Sequence, residues 1–178
     1  MKSIIKERLR QELVESDDMY KSVEIQAPNK LKLRHNFTTI FLAGSIEMGK
    51  AEEWQKKIVE AVPDKPYIFF NPRRDDWDSS WAQNKTDKNF REQVEWELEA
   101  LEVADYIVMY FDPKTESPIS MMELGIHVKS GKLLVICPEG FWKKGNIDIT
   151  CEFYKARQIE SIDEFIEILE KGELRKRK

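Results

Sequence analysis

Apolar residues in this chain fall into short runs, separated by stretches where they recur every three or four positions. The runs have the length of strands, and the wider spacing is that of helices with one buried face. Runs sit at 39–43, 67–70, 105–111, 132–137 and, weakly, 157–159, and helical stretches at 50–62, 89–103, 120–129 and 161–171. Strands that are apolar throughout, each leading into a helix, predict a parallel sheet covered on both faces.

The expectation is a doubly wound α/β domain with a five-stranded parallel sheet in the flavodoxin-like order 2-1-3-4-5. In that architecture ligands bind beyond the carboxyl ends of the strands, at the switch point. Ahead of it, 2–15 places Ile5, Leu9 and Leu13 on one face of an extra N-terminal amphipathic helix. Residues 16–36 are polar, contain Pro28 and offer only 23–25 as a short strand, so they read as a connector. The division is therefore 1–36 for helix and connector, 37–172 for the main domain and 173–178 for a basic tail beyond Gly172.

Composition narrows the class. At 178 residues, 41% hydrophobic and 11% aromatic, the chain can bury one ordinary core without disulfide or metal support. Its 29 basic and 33 acidic residues give a net charge of −4, and the pI near 5.4 argues against a nucleic-acid polymer as partner. The longest apolar runs fall far short of the roughly 20 residues that span a bilayer. The first residues lack a signal-peptide pattern, so a cytoplasmic protein is expected. Cys137 and Cys151 form no CxxC and have no histidine at metal spacing, so no metal site is expected and Cys137 reads as strand filler.

Four segments carry candidate chemistry, three at strand ends and one on a helix. Gly44, Ser45 and Ile46 form the turn after the first strand, where exposed amides favour an anion or a sugar hydroxyl, although a plain βα turn explains them equally. The full dinucleotide-binding glycine pattern is absent. After the second strand, Asn71, Arg73, Asp76, Trp77 and Trp81 lie in a long polar loop that suits either a lid on a flat ligand or a tryptophan cap over the core. On the next helix Val94, Leu98 and Leu101 mark an apolar face, and Glu97 falls about 40° from Leu101, at the border of that stripe.

Ser120 and Glu123 satisfy the S-x-x-E capping box and need no catalytic role. A first-turn Glu123 would also be held ionised by the helix amides. Two carboxyls converging on one cleft, Glu97 and Glu123, are what cleavage of a glycosidic bond requires. His35 and His127 read as structural or surface residues, with nothing like a triad around them.

The segments IFLAGSI (40–46), FNPRRDDWD (70–78), FREQVEWELEALEVAD (90–105), SPISMMELG (117–125) and CPEGFWKKGN (137–146) together resemble the nucleoside 2-deoxyribosyltransferase superfamily, in particular its deoxyribosyltransferase-like branch. The resemblance implies that Glu123 is the nucleophile of a covalent glycosyl intermediate. It implies that Glu97, where the transferases carry aspartate, protonates the leaving base or orients sugar hydroxyls. It further implies that Asn146 reaches the sugar of a partner subunit's site, hence a homodimer or higher homo-oligomer. No cofactor is implied, and the substrate is a small-molecule nucleoside or nucleotide.

Two departures bear on the substrate. Phe41 stands where the transferases have a tyrosine, and Ser117 stands where they have an aspartate that meets the 5′-hydroxyl. Ser117 with the GSI turn is similar instead to 2′-deoxynucleoside 5′-phosphate N-hydrolases, because a hydroxyl can donate to a phosphate that a carboxylate would repel. Ser45, Ser117 and Lys50 or Arg73 are then the phosphate contacts. Three readings stay open: base exchange, hydrolysis of a 5′-monophosphate, and a catalytically silent nucleotide-binding or sensor domain. A scaffold assembled through the first helix and the basic tail is a further alternative.

Overall fold

The computed structural model describes residues 20–46, 51–74, 78 and 80–174. The expected helix at 2–15, Lys50, Asp76, Trp77 and the end of the basic tail lie outside the described residues. In chain order the elements are β1 (Val23–Gln26), β2 (Thr38–Gly44), α1 (Trp54–Ala61), β3 (Tyr67–Asn71), α2 (Lys88–Val103), β4 (Tyr106–Tyr110), α3 (Pro118–His127), β5 (Leu133–Ile136), α4 (Lys144–Tyr154), β6 (Arg157–Ile159) and α5 (Ile162–Lys171).

The fold is α/β with a parallel sheet, but the sheet has six strands in the order β1-β3-β2-β4-β5-β6, not five in the order 2-1-3-4-5. The correction comes from β1, which adds to β3 at the sheet edge with Ile25 opposite Phe70. Only Ile25 of its four residues is buried, so an edge strand of this kind leaves almost no hydrophobic signal. By contrast β3, β4 and β5 are buried at every position, as strands covered on both faces must be.

The chain divides into two compact units, 1–41 with 64–105 and 42–63 with 106–178. In the first unit α2 starts at Asp87, whose carboxylate accepts from the Phe90 amide at 3.0 Å. Its inward face is Gln93, Trp96, Ala100, Leu101 and Val103, whereas Leu98 is 45% exposed. The expected face through Val94 and Leu98 is thus rotated. Trp96 decides the rotation, since its ring lies 6.3 Å from that of the buried Phe41 and its indole N–H donates to the Asn29 carbonyl at 2.7 Å.

In the second unit α5 buries Ile162, Phe165, Ile168 and Leu169, at the spacing of one helical face. Ser161 caps its start by accepting from the Glu164 amide, and Gly172 ends it at φ 66°. Cys137 lies just past the end of β5 rather than within it. Among the described residues no helix is long and apolar enough to cross a membrane.

Candidate functional site

In the second unit β2 ends where its backbone presses on β4. A side chain at Gly44 would collide with the Tyr110 carbonyl oxygen, and φ is +133°, so only glycine fits. Ser45 follows, its amide bonded to that same carbonyl at 2.9 Å and its own carbonyl accepting from the Trp54 indole at 3.0 Å. These bonds turn the Ser45 side chain into the interior, while Ile46 is half-buried.

The Ser45 hydroxyl meets two others. Its oxygen lies 2.7 Å from Thr115 Oγ1 and 2.6 Å from Ser117 Oγ, which are themselves 2.8 Å apart. The Asp112 amide donates to Ser45 Oγ at 2.8 Å, and Thr115 Oγ1 donates to the Asp112 carbonyl at 2.9 Å. Each hydroxyl brings one proton. The three edges of the triangle and the Asp112 carbonyl together offer more places than there are protons, so the hydroxyls have alternative orientations.

Ser117 occupies the left-handed region at φ 48°, ψ 49°, directly before Pro118 at the first helical position of α3. Its side chain makes no capping bond, because the cluster with Ser45 and Thr115 engages it. The expected capping box of Ser120 and Glu123 is therefore corrected. Helix α3 starts at Pro118, which puts Ser120 in its first turn and Glu123 beyond that turn. Proline needs no amide partner at that position, so it sets the helix start three residues earlier than a cap at Ser120 would.

The result is an inward face of Ser120, Glu123, Leu124 and His127, all buried. His127 follows Glu123 by four residues on that face. Ile119, Met122 and Ile126 point outward and are exposed, as are Ile149 and Phe153 on α4. Asn146 is exposed on the first turn of α4, where its amide donates to the Lys143 carbonyl at 2.9 Å.

The first unit gathers Asn71, Arg73 and Glu97. Asn71 is buried at the end of β3, accepts from the Arg73 amide at 3.0 Å and donates to Glu24 Oε1 at 2.6 Å. Its side chain thus shapes the turn that places Arg73. The Glu97 side chain is half-buried with its carboxyl as the buried end, and loss of water raises its pKa above 4.5 despite a hydrogen bond from Gln93. That bond is 2.8 Å long, and the same Gln93 nitrogen donates to the Pro72 carbonyl at 2.8 Å. Trp81 does not present a bare ring, since the Arg74 guanidinium lies 4.9 Å above it.

The sequence reading did not single out Thr115 or Gln93. Thr115 had a signal in its place two residues before Ser117 on the same loop, but Gln93 had none, because a glutamine on an acidic helix looks solvated. Among the described residues no group of three or more His, Cys, Asp or Glu is arranged to hold a metal ion. Chemically, the second unit offers a buried carboxylate and a hydroxyl cluster, and the first a carboxyl with raised proton affinity.

A sequence model described as nucleoside 2-deoxyribosyltransferase like matches residues 38–141. Among solved structures, a conserved protein from Enterococcus faecalis V583 is similar at a TM-score of 0.53 and 15% identity, covering 76% of this chain and 99% of that one. That likeness speaks to the fold. A search of curated proteins gives no match.

Proposed function

The chain belongs to the nucleoside 2-deoxyribosyltransferase-like family, and from that premise we propose that it cleaves or exchanges the N-glycosidic bond of a deoxynucleoside through a glycosyl ester on Glu123. The observation that carries the reading is the inward, buried position of Glu123 on α3, within the family match. Its carboxylate attacks C1′, the C1′–N bond breaks, and the base leaves with a proton supplied by Glu97. A second base nitrogen, or water, then attacks C1′ and releases the Glu123 carboxylate, and the acceptor's proton returns to Glu97. The role of Glu97 rests on the family likeness and on its raised proton affinity, which keeps a proton available at higher pH.

Within this reading we favour a 5′-monophosphate substrate, with Ser45 and Ser117 as phosphate contacts and Arg73 as a countercharge. Ser117 supports it as a buried hydroxyl at the family's aspartate position, able to turn its proton toward a ligand oxygen while Ser45 keeps the Asp112 amide. We also propose that the chain works as a homo-oligomer of identical copies. The exposed Asn146 and the uncharged outward row of Ile119, Met122 and Ile126 support a second copy there.

The test is chromatographic. The protein is incubated with deoxynucleosides, ribonucleosides and their 5′-monophosphates, with and without a free acceptor base, beside Glu123→Ala. Free base without acceptor identifies hydrolysis, and new nucleoside only with acceptor identifies transfer. Activity that survives in Glu123→Ala overturns the mechanism, and no turnover of any substrate turns the reading to a silent binding domain.

A further inference from the structure

Gln93 is the most deeply placed polar side chain on α2, 4% exposed. Two acceptors fix which way its amide faces. Nε2 donates to the Pro72 carbonyl and to Glu97 Oε1, both at 2.8 Å, and rotating the amide by half a turn would set an oxygen against two oxygens. Its Oε1 is therefore held in one position, and there it is buried without a hydrogen-bond partner. A buried amide oxygen with nothing to accept from keeps the full cost of losing its water, which a folded protein rarely tolerates without a use for the group.

We propose that Gln93 is a specificity-determining residue, whose Oε1 accepts an N–H of the substrate's base beside Glu97. The inference rests on the proposed N-glycosidic reading and adds the chemical class of base to it. The class is a nucleobase with an N–H on its hydrogen-bonding edge, either an exocyclic amine or a ring N–H.

The geometry explains why the group sits four residues before Glu97. On a helix these positions share a face, so one side chain can brace the Glu97 carboxyl with its nitrogen and offer its oxygen to the ligand of that carboxyl. The brace to Pro72 ties this pair to the turn after β3, the segment that also carries Asn71 and Arg73. A base that cannot donate leaves Oε1 dry and unpaired, and binding then weakens by that full penalty instead of by one ordinary hydrogen bond.

The experiment is equilibrium binding to the Glu123→Ala chain, which keeps nucleosides intact. The ligands are deoxyadenosine, deoxyinosine, deoxycytidine and deoxyuridine, together with the deoxyribosides of purine and 2-pyrimidinone, whose bases carry no N–H, each also as its 5′-monophosphate. The expected result is that at least one N–H-bearing ligand binds on the order of tenfold more tightly than its counterpart without N–H. That ratio should fall to near one in the double variant with Gln93→Met, which fills similar volume without an acceptor. A preference that survives Gln93→Met, or equal binding with and without N–H before it, overturns the role of Gln93 and leaves the N-glycosidic reading standing. Failure of every nucleoside and nucleotide to bind overturns both.

Discussion

Ser45 and Ser117 are separated by 72 positions in the chain, yet their hydroxyl oxygens lie 2.6 Å apart, and Thr115 closes the triangle. One serine directly follows β2 and the other precedes α3, so the contact locks two strand-end loops of the second unit together. Because the Asp112 amide also donates to Ser45, the cluster is part of the fold as well as a candidate ligand contact.

Removing Ser45 separates those two roles. Ser45→Ala leaves the Asp112 amide without that acceptor in a buried place, which costs about 1–3 kcal/mol. Urea unfolding should show a lower midpoint at unchanged slope, whereas an unchanged midpoint would mean that water replaces the hydroxyl.

Ser117→Asp probes the substrate. The variant restores the carboxylate seen in the transferases, and aspartate is among the residues that tolerate the left-handed backbone found there. Turnover of a 5′-monophosphate should drop by at least tenfold while that of the matching nucleoside rises or holds. Equal losses on both substrates would remove Ser117 from phosphate recognition.

Gly44→Ala should be among the most damaging single changes. The new methyl would meet the Tyr110 carbonyl at a positive φ that alanine avoids, and neither strand can retreat without breaking the Ser45–Tyr110 backbone bond. A loss on the order of 3–5 kcal/mol is expected, seen as insoluble protein or a collapsed melting transition. A well-folded variant would show that β2 and β4 can part locally.

Glu97 gives a pH signature. Its folded pKa is raised above 4.5, so between the unfolded and folded values the native state holds more protons than the unfolded chain. Stability from this group is therefore full below the unfolded pKa and is lost as pH rises through the folded one. Glu97→Gln keeps the hydrogen-bonding shape without the titration. It should gain on wild type in unfolding midpoint as pH goes from roughly 4 to 8, and parallel curves would contradict a buried, proton-retaining carboxyl.

Both cysteines should be silent. Burial pushes the Cys137 thiol up to about 12 and the Cys151 thiol to about 11, so neither forms thiolate near neutral pH. A chromogenic disulfide reagent should label the native protein far more slowly than the urea-unfolded chain, and rapid native labelling would refute this.

The proposed assembly has its own test. Met122→Lys places a charge in the exposed row between Ile119 and Ile126, so the mass in solution should fall to that of one chain while the circular dichroism stays native. An oligomer that persists would move the contact elsewhere.

Much of this was legible in the chain. The buried runs of β3, β4 and β5 and the helices between them announced a parallel α/β sheet, because strands covered on both faces must be apolar at every position. Motifs spread from IFLAGSI to CPEGFWKKGN were enough to name the family that the sequence match over 38–141 then identified. These features are local, and local patterns survive in one dimension.

What only the tertiary structure decided depends on distant partners. An edge strand with one buried side chain needs Phe70 beside Ile25 to be recognised. The buried face of α2 followed Trp96, whose partners Phe41 and Asn29 lie far away in the chain, rather than Leu98. Proline at the start of α3 and the engagement of Ser117 by Ser45 shifted Glu123 out of a capping role and onto the inward face. Thr115 and Gln93 gained their significance in the same way. Hydrophobic burial is averaged along an element and so can be read from its sequence, but a hydrogen bond is settled by which single atoms meet, and that waits for the folded chain.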